Sequence, residues 1–213
     1  MLLGIKLGSN KHSIYLSSLD IHRFKSKVLV MRFIKTIFYY IFDLAYFLAK
    51  GSVGYARKKG VKIGENCRIY IKSWGSEPFL VSIGDNVTVT SGVKFITHDG
   101  STCLVKDEQG KRYQRFAKIE VGSNVFIGVN TIVMPGVTIG SHVVIGAGSV
   151  VTKDIPDNSV AIGVPARVVS SFDDYQAKIK ATCASDSELV GITDYAERVQ
   201  RAIDLQHQKQ SHH

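Results

Sequence analysis

His98 is the side chain in this sequence best suited to move a proton near neutral pH. It stands in Phe95-Ile96-Thr97-His98-Asp99-Gly100, and a neutral imidazole beside a cleft is a natural general base for a hydroxyl. Taken alone the signal is weak, because a solitary imidazole at a turn is more often structural. No serine or cysteine is placed as a covalent nucleophile. Cys67, Cys103 and Cys183 have no paired spacing, which suits a reducing compartment and argues against a disulfide framework or a zinc cluster. Small packed residues account for all three. His142, in Ile139-Gly140-Ser141-His142, has no partner at a ligand spacing and reads as a surface residue. Asp85 and Asn130 are polar residues that could face a substrate, although turn hydrogen bonds explain each of them as well.

The element that must position these residues is a six-residue repeat. Val121, Ile127, Val133, Ile139, Ile145 and Val151 recur at that period, each followed four places on by another small or aliphatic residue. Six fits neither an amphipathic helix nor an ordinary strand, so the pattern is a structural repeat. If each hexad supplies one side of a flat coil, the aliphatic residue points inward and Gly, Asn and Ser take the corners. Three hexads then close a turn of eighteen residues, and stacked turns bury one continuous core. The same pattern starts near Val61, with Ile63, Ile69, Ile83, Val89 and Phe95, and its first turn is stretched between Lys72 and Leu80. Between Phe95 and Val121 the register breaks, which predicts a loop extruded over about 99–118. Such a loop on a rigid scaffold is a common seat of binding function. The repeat is expected to end near Ile155-Pro156, and helices are expected near 171–182 and 193–207 in a polar tail with a fraying end.

This pattern resembles the left-handed parallel β-helix of the hexapeptide-repeat O-acetyltransferases, among them the maltose, galactoside and polysaccharide O-acetyltransferases. The resemblance covers about residues 61–170. It is most specific in Ile145-Gly146-Ala147-Gly148-Ser149-Val150-Val151-Thr152-Lys153-Asp154-Ile155-Pro156 and Gly163-Val164-Pro165-Ala166-Arg167. The resemblance implies a mainly β fold, a homotrimer with sites between neighbouring coils, and acetyl-CoA as cosubstrate with no metal. It implies that His98 deprotonates an acceptor hydroxyl. It also implies that the chain around Val129, Gly146 and Ala147 lines the pantetheine arm, and that Thr152, Lys153 and Arg167 lie near the nucleotide end. Lys and Arg are suitable donors for the phosphates there. Phe126 stands where many members carry Trp, keeping an aromatic wall without the indole N–H. A backbone N–H at Gly128 or Val129 is the expected oxyanion donor. Asp85 and Asn130 are carried as substrate-side residues. The zinc-dependent relatives of this fold need three imidazoles, and the repeat offers only His98 and His142.

The N-terminal sixty residues are different. They hold eleven Lys or Arg against Asp20 and Asp43, whereas residues 61–213 hold sixteen of each sign, so the whole net charge of +9 is N-terminal. This points to a local partner surface for that segment. No secretory signal pattern is present. Within the segment, 28–50 reads as a helix. Arg32, Lys35, Tyr39, Asp43, Tyr46 and Lys50 form a narrow stripe opposite a wide apolar face. Its internal charges argue against a spanning helix. A helix flanking the core and a helix lying in a membrane interface both fit.

The expectation from sequence is therefore three parts: 1–60, a repeat domain over 61–168, and a tail over 169–213. The expected activity is acetyl transfer to a sugar hydroxyl for a surface polysaccharide, in the cytoplasm or at the inner face of the membrane, with no nucleic-acid partner. Acetylation of an antibiotic, a small alcohol or an amino sugar is the alternative reaction. A silent trimeric scaffold is the alternative of another class.

Overall fold

The computed structural model describes the backbone of residues 3–5, 14–16 and 18–211, and side chains over 30–211. Much of the N-terminal basic stretch, and His212 and His213 at the tail, lie outside those described side chains. The chain divides at Gly51 into two compact units, 1–51 and 52–213.

In the first unit, β1 (Leu3–Ile5) and β2 (Ile14–Leu16) pair antiparallel. They are followed by the helix α1 (Ser18–Lys58), in which Gly51 takes a non-helical conformation with φ of 67°. The helix begins ten residues earlier than the amphipathic pattern suggests. Between Ser18 and Lys50 there is no Gly or Pro to stop it, and Gly51 supplies the break. The large apolar side chains of this segment are exposed, among them Phe33 and Phe38 at 67% and Leu48 at 74%. Among the described residues no helix is long and apolar enough to cross a membrane.

The second unit is built by a chain that visits three parallel sheets in turn. The first turn contributes β3 (Lys62–Ile63) and β4 (Arg68–Ile69). The second contributes β5 (Val81–Ile83), β6 (Thr88–Val89) and β7 (Lys94–Phe95). The third holds β8 (Ile119–Val121), β9 (Val125–Ile127) and β10 (Ile132–Val133). The fourth holds β11 (Thr138–Ile139), β12 (Val143–Ile145) and β13 (Val150–Val151). Ladders β3-β5-β8-β11, β4-β6-β9-β12 and β7-β10-β13 are the three faces. Val125 pairs with Val143 and Ile132 with Val150, eighteen residues on. The repeat runs one face beyond Ile155: β14 (Ser159–Gly163) joins the second sheet beside β12, and β15 (Ala166–Ser171) folds back antiparallel on β14. Helices α2 (Phe172–Thr182) and α3 (Tyr195–Ser211) follow, the second extending four residues past its sequence boundary.

The hexad aliphatics face inward. Phe95, Ile127, Val133, Ile139, Ile145 and Val151 are 0–1% exposed, and so are Thr131, Val143 and Ser149, which stand four places after repeat residues. Each fully buried aliphatic side chain contributes on the order of 1.5–3 kcal/mol. At one corner Asn66, Asn86, Asn124, His142 and Asn158 all have φ between 54° and 59°, the left-handed region that Asn tolerates best among residues with a side chain. His142 is thus one rung of an asparagine ladder, 3.3 Å from Asn124 Nδ2 through its Nε2. The adjoining glycines admit no side chain: a Cβ on Gly84 would meet the Gly122 backbone at 2.7 Å.

Candidate functional site

The first turn is two residues longer than the regular eighteen-residue turn, since Ile63 pairs with Ile83 whereas Val121 pairs with Ile139. That extra length carries Trp74 onto Phe95, with ring centroids 5.3 Å apart, and brings Glu77 beneath Thr97 and His98. Glu77 leads into a short 3-10 turn, Pro78–Leu80, and accepts the Leu80 N–H at its carbonyl. Thr97 Oγ1 donates to Glu77 Oε2 at 2.6 Å, and His98 Nδ1 lies 2.9 Å from the same oxygen. The Thr97 hydrogen bond, with the His98 contact adding to it against partial burial, holds the Glu77 carboxyl below its ordinary range. Glu77 is therefore a carboxylate and only accepts, so Nδ1 is the ring nitrogen that donates to it and, in the neutral imidazole, Nε2 is the one with the lone pair. Glu77 was not singled out from sequence. The signal existed in the stretched first turn, because a twenty-residue turn puts residue 77 beneath residue 97.

The base of the extruded loop is pinned beside this pair. Asp99 N–H donates to the Arg115 carbonyl, Ala117 N–H to the Thr97 carbonyl, and His98 bridges Phe116 antiparallel. The Phe116 ring stands 5.9 Å from the imidazole. Farther out, Asp107 closes the tip by accepting the Gln109 and Lys111 N–H groups. Asp99 accepts both the N–H and the hydroxyl of Ser101, the main reason its carboxyl is held low, with Arg115 adding.

Two cavities open on either side of His98. One of about 250 Å³ lies between Glu77, His98 and the loop residues Arg112 and Arg115, and one of about 450 Å³ lies between His98, Arg115, Pro135 and Thr152. A larger depression of about 510 Å³, between Tyr70–Ser73 and Lys94–Ile96, contains no imidazole or carboxylate.

Seven of the remaining sequence candidates, Gly128, Val129, Asn130, Gly146, Ala147, Thr152 and Lys153, fall on two edges of the third sheet. Thr152 and Lys153 follow β13 on the edge that carries His98, and Thr152 shares its cavity. Gly128, Val129 and Asn130 precede β10, and Gly146 and Ala147 precede β13, on the opposite edge. A face of about five residues, roughly 16 Å at strand spacing, separates the two edges within one chain. Asn130, at φ of 59°, stacks between Gly92 and Gly148 as a corner residue. Phe126 projects outward from β9, 43% exposed, and Val129 is 42% exposed. Arg167 lies on β15 opposite Ile162, one N–H engaged by the Ala166 carbonyl.

Two expectations change. The Gly128 N–H donates to the Ile145 carbonyl at 2.8 Å, so it has no proton to offer an oxyanion. The Val129 N–H has no backbone acceptor among the described residues. Asp85 is a rung: its carboxylate accepts the Glu65 N–H at 2.7 Å, and its own N–H donates to Ser123 Oγ. It sits at the corner between the first and second sheets and lines neither cavity with His98.

The repeat matches the family described as bacterial transferase hexapeptide (six repeats) over residues 118–153. Protein CapG of Staphylococcus aureus is 50% identical over 129 residues, which cover 58% of this chain and 73% of CapG. The chain belongs to the hexapeptide-repeat acyltransferases. The galactoside O-acetyltransferase of Escherichia coli (strain K12) is 37% identical over 114 residues, 54% of this chain and 55% of that enzyme, so the chain spans about half of that relative. Among solved structures, a maltose O-acetyltransferase from Clostridium difficile 630 aligns at 38% identity over 55% of this chain and 60% of that one, with a TM-score of 0.46. This chain carries the His98 imidazole on one edge of the third sheet and the exposed Val129, with Phe126 beside it, on the other side.

Proposed function

We propose that this acyltransferase moves an acetyl group from acetyl-CoA to a hydroxyl of a sugar in surface polysaccharide synthesis, in a left-handed β-helical homotrimer. The observation that carries the reading is the Glu77–His98 pair at the mouth of two cavities. Glu77 fixes the ring and its tautomer, and His98 Nε2 takes the acceptor hydroxyl proton. The freed oxygen attacks the thioester carbonyl, the carbon–sulfur bond breaks, and the sulfur leaves as a thiol by taking the proton back from His98. The Val129 N–H is the candidate donor for the oxyanion, a role commonly worth about 3 kcal/mol or more.

Residues of this chain fit the cosubstrate. Phe126 and Val129 offer an exposed apolar strip for the pantetheine arm, and exposed Lys153 and Arg167 offer donors for phosphate. Because that strip and His98 stand on opposite edges of one face, a neighbouring coil completes the site, and this supports the trimer. The basic N-terminal segment with its exposed apolar helix supports work at the cytoplasmic face of a membrane.

The test is thiol release from acetyl-CoA across free, nucleotide-linked and lipid-linked sugars. Release that requires a sugar supports the reading. Silence on every sugar, with turnover of an antibiotic or an amine, would replace it.

A further inference from the structure

The loop over 99–118 carries Lys106, Lys111, Arg112, Arg115 and Lys118 against Asp99, Asp107 and Glu108. Its charges are not equivalent. Asp99 is engaged by Ser101 and Asp107 by the turn at Gln109 and Lys111, while across the cavity Glu77 is engaged by Thr97 and His98. Among the described residues, the side chains of Arg112 and Arg115 make no such hydrogen bond, although Arg115 lies near enough to Asp99 to lower its carboxyl, and both line the cavity that holds His98, Glu77 and Asp99. Arg115 also lines the second cavity, so it stands at both openings beside the base. Its position is set by the ladder between 97–99 and 115–117, which ties the Arg115 backbone directly opposite Asp99. A solvated loop cation needs neither the cavity nor the anchored base. A guanidinium fork matches the geometry of carboxylate and phosphate oxygens.

We infer that the acceptor is an acidic saccharide, whose carboxylate or phosphate is held by Arg115 and Arg112 while a neighbouring hydroxyl reaches His98. This rests on the sugar acetylation proposed above and names the class of sugar. Arg115 is a specificity-determining residue on this account, with Arg112 closing the anion from the loop side. Glu77 and Asp99 line the same cavity and keep their charge, so selection of an anion rests on direct guanidinium contact and not on the net field of the cavity.

The experiment uses the full-length protein and matched acceptors: methyl β-D-glucuronide beside methyl β-D-glucoside, and N-acetylglucosamine 1-phosphate beside N-acetylglucosamine. Thiol release from acetyl-CoA gives kcat/KM for each. The expected result is a preference of about 10- to 100-fold for the acidic member of at least one pair, expressed mainly in KM. The pair that shows it distinguishes carboxylate from phosphate. Arg115→Gln should collapse that ratio toward one, Arg112→Gln should reduce it, and Arg115→Lys should retain part of it. Thermal melts confirm that the variants are folded. Equal use of acidic and neutral sugars by the wild type overturns the inference and leaves sugar acetylation standing, as does a preference that survives both glutamine variants. Silence on all four sugars and on the wider panel overturns sugar acetylation and this inference together.

Discussion

Oε2 of Glu77 lies 2.9 Å from Nδ1 of His98, and the same oxygen takes the Thr97 hydroxyl at 2.6 Å. The pair spans two turns of the coil, so the tautomer of His98 depends on stacking between turns. His98→Ala should lower kcat by about 10² to 10⁴. Glu77→Gln should lower it by about tenfold or more, because an amide can meet Nδ1 with either its oxygen or its nitrogen and no longer dictates which ring nitrogen is protonated. Thiol release under saturating acetyl-CoA measures both. Full activity in the first variant would remove His98 from the mechanism.

Corner glycines are required where the turns touch. A Cβ at Gly84 would stand 2.7 Å from the Gly122 backbone, whereas one at Gly100 meets nothing within 4 Å. Gly84→Ala should cost about 1–3 kcal/mol, as overpacking does, and Gly100→Ala should stay within about 0.5 kcal/mol. Urea unfolding midpoints at constant slope compare the two.

The exposed apolar face of α1 makes a prediction about lipid. Full-length protein should float with vesicles containing anionic phospholipid, less with purely zwitterionic ones, and less again at high salt. A double change, Phe38→Glu with Ile41→Glu, places two charges on that face and should reduce flotation about tenfold or more. If wild type and variant float equally, the membrane reading of this helix ends.

A fourth prediction concerns acid. Glu188 closes a capping box with Ser185 and pairs with Lys209 of α3 at 2.9 Å. The Ser185 backbone N–H first, then Lys209, depress its carboxyl from 4.5 to about 2. A folded-state value below the unfolded one means that the ionised group stabilises the fold above the ordinary carboxyl range. That contribution fades as pH falls through 4.5 toward about 2. Glu188→Gln should therefore lower the melting temperature relative to wild type at neutral pH, and the difference should shrink as the acid limit is approached.

The hexad spacing by itself determined the inward aliphatics, the parallel three-sheet coil and the place of the loop. The motif at 145–156 with 163–167, by resemblance, carried the family. These are local properties: period and corner chemistry repeat along the chain, and each unit reports its own face. Partners across turns depend on the running sum of insertions before them. Two added residues in the first turn put Glu77 beneath Thr97, twenty inserted residues set Arg115 opposite Asp99, and two missing ones let β14 extend the second sheet. The same stacking assigned Asp85 and His142 to corner ladders and tied up the Gly128 N–H. Backbone polar groups inside a stacked coil must find partners on the adjacent turn, and only the tertiary structure decides which side chains and amides remain for chemistry.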